Sequence, residues 1–127
     1  MSDIDKLARR YLASWNEPDP VRRRALVDEL WADEARYVDP IVTAEGRGAI
    51  DDVVATAQRQ FPGLVYRQAG AVDCHHHVAR LTWELAPAGG PAVIAGLAVM
   101  VTEQARLRRV YGFLDPLPPI PSPGATR

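Results

Sequence analysis

The apolar positions change period along the chain: through the first half they recur at helical spacing, and from Leu64 onward they alternate. Ile4, Leu7, Ala8, Tyr11, Leu12 and Trp15 fall on one stripe, which predicts a helix over Asp3 to Glu17. Ser2 or Asp3 can cap it, and Asn16-Glu17-Pro18 stops it. Asp19-Pro20 repeats the start signal, a capping side chain followed by proline at the first helical position. The second helix is therefore expected from Pro20 to about Trp31, with Val21, Ala25, Leu26, Leu30 and Trp31 inward and Arg22 to Arg24 solvated. A short strand, Ala35 to Asp39, follows. Gly46 and Gly48 mark a turn before a third helix, whose apolar side is Ala49, Ile50, Val53, Val54 and Ala57 and which Phe61-Pro62-Gly63 ends.

The remaining pattern predicts four strands, Leu64 to Val72, His75 to Leu85, Ala92 to Thr102 and Arg106 to Leu114. In the second of these, His77, Ala79, Leu81, Trp83 and Leu85 share the apolar side, with Val78, Arg80, Thr82 and Glu84 opposite. In the third, Gly96, Ala98 and Met100 share a side. Three helices and one short strand followed by long strands define an α+β domain over residues 1–115, its helices packed on one face of a curved, mostly antiparallel sheet. Such a sheet wrapped around a helical layer leaves room for a central pocket. The tail from Pro116 to Arg127, rich in proline, is expected to lie outside the core.

Composition narrows the function classes. A chain of 127 residues is one domain, and its net charge of -1 supplies no cationic field for a nucleic acid. No stretch approaches the ~18 consecutive apolar residues of a membrane span, and the amino terminus lacks the basic and apolar pattern of a leader, so a cytoplasmic address is the expectation. A single cysteine, Cys74, excludes an intrachain disulfide framework and agrees with that address. Every basic residue but Lys6 is Arg, a compositional bias of high-GC bacterial genomes.

Among groups that carry chemistry, Asp39 stands out. Tyr37 and Asp39 share a strand face, and Pro40 ends the ladder after them. If that face lines a cavity, Asp39 is a general base in an apolar setting; if it faces water, Asp39 is a strand-end turn former. His77 is a second candidate for proton transfer, its alternative being a strand-mouth histidine satisfied by a backbone carbonyl. Tyr11, an aromatic on a helical stripe, reads from its position as core. His75 and His77 share a strand face, but no further cluster has ligand spacing, so neither a metal nor another cofactor is expected.

The words Tyr11-Leu12-Ala13-Ser14-Trp15-Asn16, Tyr37-Val38-Asp39-Pro40, Gly46-Arg47-Gly48-Ala49-Ile50 and Arg80-Leu81-Thr82-Trp83-Glu84-Leu85, with the closing run Leu107 to Asp115, come in the order found in the SnoaL-like branch of the nuclear-transport-factor-2-like superfamily, which the chain resembles over residues 3–115. The resemblance implies a cone-shaped α+β barrel, a homodimer formed through the sheet, and a small hydrophobic ligand, in the manner of ketosteroid isomerases and polyketide cyclases. By similarity to ketosteroid isomerase, Asp39 occupies the place of the general base and Tyr11 that of the oxyanion tyrosine. His77, from its strand position and not from the resemblance, is the candidate proton shuttle beside them. Trp15, Tyr37, Leu81 and Trp83, with Ala98, Met100 and Leu114, are then expected to contact substrate. One departure is plain: Ala98 stands where the isomerase has its second, acidic donor, and the Gly-x-Asp word of the cyclases becomes Gly96-Leu97-Ala98. The expected function is cofactor-free isomerisation, cyclisation or dehydration of a hydrophobic carbonyl or polycyclic compound, and its alternative a non-catalytic ligand-binding or dimeric assembly module.

Overall fold

The computed structural model describes residues 2–115; the proline-rich tail lies outside the described residues. The elements run α1 (Asp3–Asn16), α2 (Pro20–Leu30), β1 (Trp31–Val38), β2 (Thr43–Glu45), α3 (Arg47–Gln60), β3 (Leu64–Gln68), β4 (Asp73–His75), β5 (Val78–Pro87), β6 (Ile94–Glu103) and β7 (Arg106–Asp115). Ser2 caps α1 through its side chain, and Asp19 caps α2, accepting from the Arg22 N–H at 2.9 Å ahead of Pro20. All strands belong to one sheet of order β2-β1-β7-β6-β5-β3, with β4 also on β5. Every pairing is antiparallel except β1 with β7.

The three helices cover one face of this sheet. Leu7, Ala8 and Leu12 of α1, Val27 and Leu30 of α2, and Ile50 and Val54 of α3 are buried in one cluster with Leu81, Met100 and Val110 from the strands. Each fully buried Val, Leu, Ile or Met side chain here stabilises the fold by about 2 kcal/mol. Gly96, Ala98 and Met100 share the helix-facing side of β6, as the alternation requires. On β7 both Leu107 and Val110 are buried, which a regular strand forbids. A register shift between Val101 and Thr102 of β6 resolves this: Arg109 pairs with Val101 and Leu107 with Thr102, so one extra residue turns both apolar side chains inward.

Several sequence expectations are corrected. Trp31 opens β1 rather than closing α2; its backbone is extended and it pairs with Leu107 in the parallel ladder, so the first strand is longer than Ala35 to Asp39. The inward stripe of α2 is Arg23, Val27 and Leu30, leaving Val21 and Ala25 exposed. Arg23 is buried rather than solvated. Its Nε donates to Asp51 at 2.9 Å and its Nη1 to Gln58 at 3.3 Å, and these partners on α3 offset the desolvation of the guanidinium. The run Leu64 to Val72 breaks at Gly70, which adopts a left-handed conformation, and β3 and β4 then follow one another along β5. His75 ends β4, His76 and His77 form the reversal, and β5 begins only at Val78.

Candidate functional site

Between the helices and the inner face of the sheet lies a cavity of about 350 Å³, within the range of small-molecule sites. Tyr11 and Trp15 reach it from α1, Tyr37 from β1, Tyr66 from β3 and Trp83 from β5. Their rings form a connected wall: centroids are 5.7 Å apart for Trp15–Tyr37, 5.3 Å for Trp15–Tyr66 and 5.4 Å for Tyr66–Trp83, and Tyr11 lies 6.2 Å from Trp15. Val53, Thr56 and Ala57 of α3 supply the facing wall, and Asp52 and Gln60 of the same helix lie on it one turn or so to either side.

Asp39 follows β1 immediately and holds both roles that its sequence context left open. Its Oδ1 accepts from the backbone N–H groups of Ile41 at 2.8 Å and Val42 at 2.9 Å, the bonds of a side-chain-stabilised turn. The Asp39 N–H closes the same turn on the Val42 carbonyl at 2.9 Å. Its Oδ2 accepts from the Tyr37 hydroxyl at 2.8 Å, and both residues line the cavity. Three donors thus fix the carboxylate in one orientation, with further lone pairs on Oδ2 free for a ligand. Gly112 on β7 makes this packing possible. A Cβ there would sit 3.2 Å from both the Tyr37 hydroxyl oxygen and the Asp39 Cβ.

Local interactions hold the aromatic wall in place. Asn16, at the end of α1, donates from Nδ2 to the Tyr66 carbonyl at 2.7 Å and accepts the Tyr66 N–H at 2.8 Å, clamping β3 to the helix. Gln58 donates to the Trp15 and Glu17 carbonyls at 3.0 and 2.8 Å, satisfying the otherwise orphan carbonyls at the end of α1. Because Arg23 in turn donates to Gln58, the buried Arg23–Asp51 pair belongs to the same scaffold. Trp83 lies over Gly96 on the neighbouring strand, where a Cβ would fall 2.2 Å from the indole Cζ2.

Burial sets the electrostatics. Desolvation raises the Tyr11 hydroxyl above its ordinary pKa; the Trp15 side chain acts in the opposite direction, and Tyr66 and Asp39 add to the rise. The same cause, reinforced by Tyr11 and Asp39, raises Tyr37 further. Burial and the Asp39 charge push Tyr66 up to about 12. All three phenols are therefore neutral hydrogen-bond donors at physiological pH. The Tyr37 proton is committed to Asp39, whereas that of Tyr11 has no protein acceptor among the described residues and is available to a ligand oxygen.

Of the residues singled out from the sequence, Tyr11, Trp15, Tyr37, Asp39, Trp83 and Leu114 meet at this cavity. Leu81, Ala98 and Met100 do not line it; they are buried in the core beneath, where Ala98 pairs with Leu81 and Gly112. His77 is elsewhere. It borders a separate cleft of about 450 Å³ with His76, Cys74, Lys6 and Arg10, and is exposed. The two-residue turn of His76 and His77 that follows β4 carries His77 out of the alternation that placed it beside Leu81. Among the described residues no three His, Cys, Asp or Glu side chains group to hold a metal ion. Sequence reasoning missed Tyr66 and the α3 wall. The alternation of Leu64 to Gln68 puts Tyr66 on the face opposite Val65, and the Asp52, Thr56, Gln60 spacing of one helical turn was visible, but neither pattern says which face meets the cavity.

A helix-covered, curved sheet with an aromatic pocket bordered by a carboxylate and phenols defines an α+β fold with a central cavity. The sequence matches the SnoaL-like domain family over residues 8–110, and the chain belongs to that family. It is similar to a proposed isomerase of the SnoaL-like family from Agrobacterium tumefaciens, with 38% identity, 91% of this chain and 100% of that chain covered, and a TM-score of 0.86. Two more distant structures share the fold. A proposed SnoaL-like polyketide cyclase from Jannaschia sp. CCS1 is 15% identical over 89% of this chain and 85% of its own, with a TM-score of 0.72. A protein of ketosteroid isomerase-like fold from Catenulispora acidiphila, in complex with trimethylamine, is 15% identical over 84% and 82%, with a TM-score of 0.69. No curated protein matches the chain in sequence. No helix among the described residues is long and apolar enough to cross a membrane.

Proposed function

We propose that this protein binds a small hydrophobic carbonyl compound in the aromatic cavity and moves a proton on it without a cofactor, as an isomerase, cyclase or dehydratase. The observation that supports this reading best is the Tyr37–Asp39 pair beside a Tyr11 hydroxyl with no protein acceptor, in one largely apolar cavity. In the proposed reaction, Asp39 Oδ2 takes a proton from the carbon next to the carbonyl, and the electron pair of that C–H bond moves onto the carbonyl oxygen as an enolate. Tyr11 donates a hydrogen bond to that oxygen as the charge develops, and Tyr37 keeps the carboxylate aimed. The proton then returns from Asp39 to a different carbon as the carbonyl re-forms, which completes an isomerisation, or the enolate carbon attacks a second carbonyl and Asp39 returns its proton to the alkoxide formed there, which completes a cyclisation. His77 has no part in this scheme, because it lies outside the cavity.

Crystals soaked with steroid-like, polyketide-like and terpenoid carbonyl compounds test the placement. A carbonyl oxygen within hydrogen-bond distance of Tyr11 and an acidic carbon facing Asp39 are expected; a ligand bound elsewhere, or in reverse, contradicts it.

Ala98 supports a second reading, a ligand-holding module without turnover. It leaves the oxyanion site with one phenol where a second, acidic donor would add to enolate stabilisation. That reading predicts the same bound ligand with no proton exchange. In either case the proposed assembly is a homodimer through the outer face of the sheet, where Leu97 and Val99 on β6 lie beside the half-exposed Phe113 on β7. Sedimentation velocity reads this directly: a species of twice the chain mass is expected, and a monomer at high micromolar concentration contradicts it.

A further inference from the structure

The charge of the cavity is one-sided. Its wall carries two carboxylates, Asp39 and Asp52, and no Lys, Arg or His among the described residues. Arg24, whose attraction to Asp52 is weak beside its own partner, is bridged to Asp28 at 2.8 Å. Around the same space stand Tyr37, Trp15, Tyr66 and Trp83, successive rings in that order tilted by 52°, 50° and 56° at centroid spacings between 5.3 and 5.7 Å. Rings set at such angles make a curved wall rather than a flat stack, and the face of each such ring carries the negative side of its quadrupole. A wall of aromatic faces with carboxylates at its margin is the environment that recognises an organic cation. An anionic ligand meets two negative charges and no counter-charge there.

We infer that the ligand of this cavity carries a cationic nitrogen, a protonated amine or a quaternary ammonium, in addition to the carbonyl group of the proposed reaction. This rests on the reading of the cavity as the ligand site and adds the substrate class to it. The carbonyl is held at the Tyr11 end, the cation lies against the rings of Trp15, Tyr66 and Trp83, and Asp52 on α3 supplies a solvent-side counter-charge. Asp39 adds to the field while remaining hydrogen-bonded to Tyr37.

Three probes that share a benzyl group separate the possibilities: benzyltrimethylammonium, its neutral carbon isostere neopentylbenzene, and the anion phenylacetate, each titrated into the whole protein and followed by tryptophan fluorescence. The ammonium is expected to bind at least tenfold more tightly than the isostere, and phenylacetate most weakly. Asp52→Asn, a change at an exposed side chain, is expected to weaken the ammonium about threefold and leave the isostere unchanged. Trp83→Leu is expected to weaken the ammonium at least tenfold. An isostere that binds as well as the ammonium overturns the cation preference while leaving the cavity as the ligand site. If no probe binds, both the preference and the cavity reading fall. An ammonium affinity that Asp52→Asn does not alter, together with no loss in Trp83→Leu, places that binding outside the cavity and overturns the inference.

Discussion

Trp83, in the carboxy-terminal half of β5, stands in the wall of the aromatic cavity, whereas His77, one residue before that strand begins, lies in an open cleft at a hairpin. Both ends offer groups able to handle a proton. At the cavity end these groups come from α1 and the end of β1, and Asp39 and Tyr37 orient each other through a hydrogen bond of 2.8 Å. At the hairpin end three consecutive histidines are exposed, with His75 and His76 stacked edge-on at 5.8 Å. What separates the two regions is desolvation and convergence, because a side chain in water acts on a substrate no better than buffer does.

The contrast can be broken most strongly through the scaffold beneath the cavity. Asp51→Ala removes the partner of buried Arg23 and, through Gln58, loosens the end of α1 that carries Trp15; a loss of about 3 kcal/mol is expected in urea unfolding. The exposed Glu103–Arg108 pair next to the β6–β7 turn provides the control, since Glu103→Ala should cost less than about 1 kcal/mol. Gly96→Ala comes next. Its Cβ would meet the Trp83 ring at 2.2 Å and the Phe113 carbonyl at 2.7 Å, so Trp83 must swing away, at a cost of about 2 kcal/mol in the same unfolding measurement. Ligand binding should fall with it.

Smaller effects sharpen the comparison. Tyr66 ionises near 10 when unfolded and near 12 when folded, so between these values the unfolded chain has lost a proton that the folded chain retains. Stability from this burial is complete below pH 10 and declines as pH rises towards 12; Tyr11 and Tyr37, shifted in the same direction, add to the decline. The urea midpoint should therefore drop between pH 10 and 11.5, and drop less in Tyr66→Phe. At the other end of β5, His77→Ala should change stability by no more than about 0.5 kcal/mol and leave ligand binding and turnover unaltered. A large loss of turnover in that variant would return the hairpin to the mechanism.

The change of hydrophobic period at Leu64 made the α+β architecture legible, because helical stripes and alternating strands bury different sets of residues. The Asp39-Pro40 word located the catalytic candidate for an equally physical reason: a carboxylate that ends a strand must find donors, and the nearest are the following backbone N–H groups and the tyrosine two residues before it. What the sequence hid depended on long-range packing. Arg23 read as solvated because its partners lie on α3, 28 and 35 positions away. His77 read as strand because no Gly, Asn or Pro announces the reversal, which His76 enters with a φ of 51°. Tyr66 was hidden because β3 is docked on α1 by the Asn16 clamp on the Tyr66 backbone, a contact across 50 positions that local pattern does not reveal.

The central claim is that Asp39 moves a proton to and from carbon inside the aromatic cavity. Deuterium exchange tests it without knowledge of the physiological substrate: carbonyl compounds are incubated with the protein in heavy water, and NMR follows deuterium entering the position next to the carbonyl. The account predicts protein-dependent exchange with at least one compound that binds the cavity, reduced by about 10²–10⁴-fold in Asp39→Asn with the fold retained by circular dichroism. Exchange that persists unchanged in Asp39→Asn, or compounds that bind in the cavity yet never exchange, would contradict it.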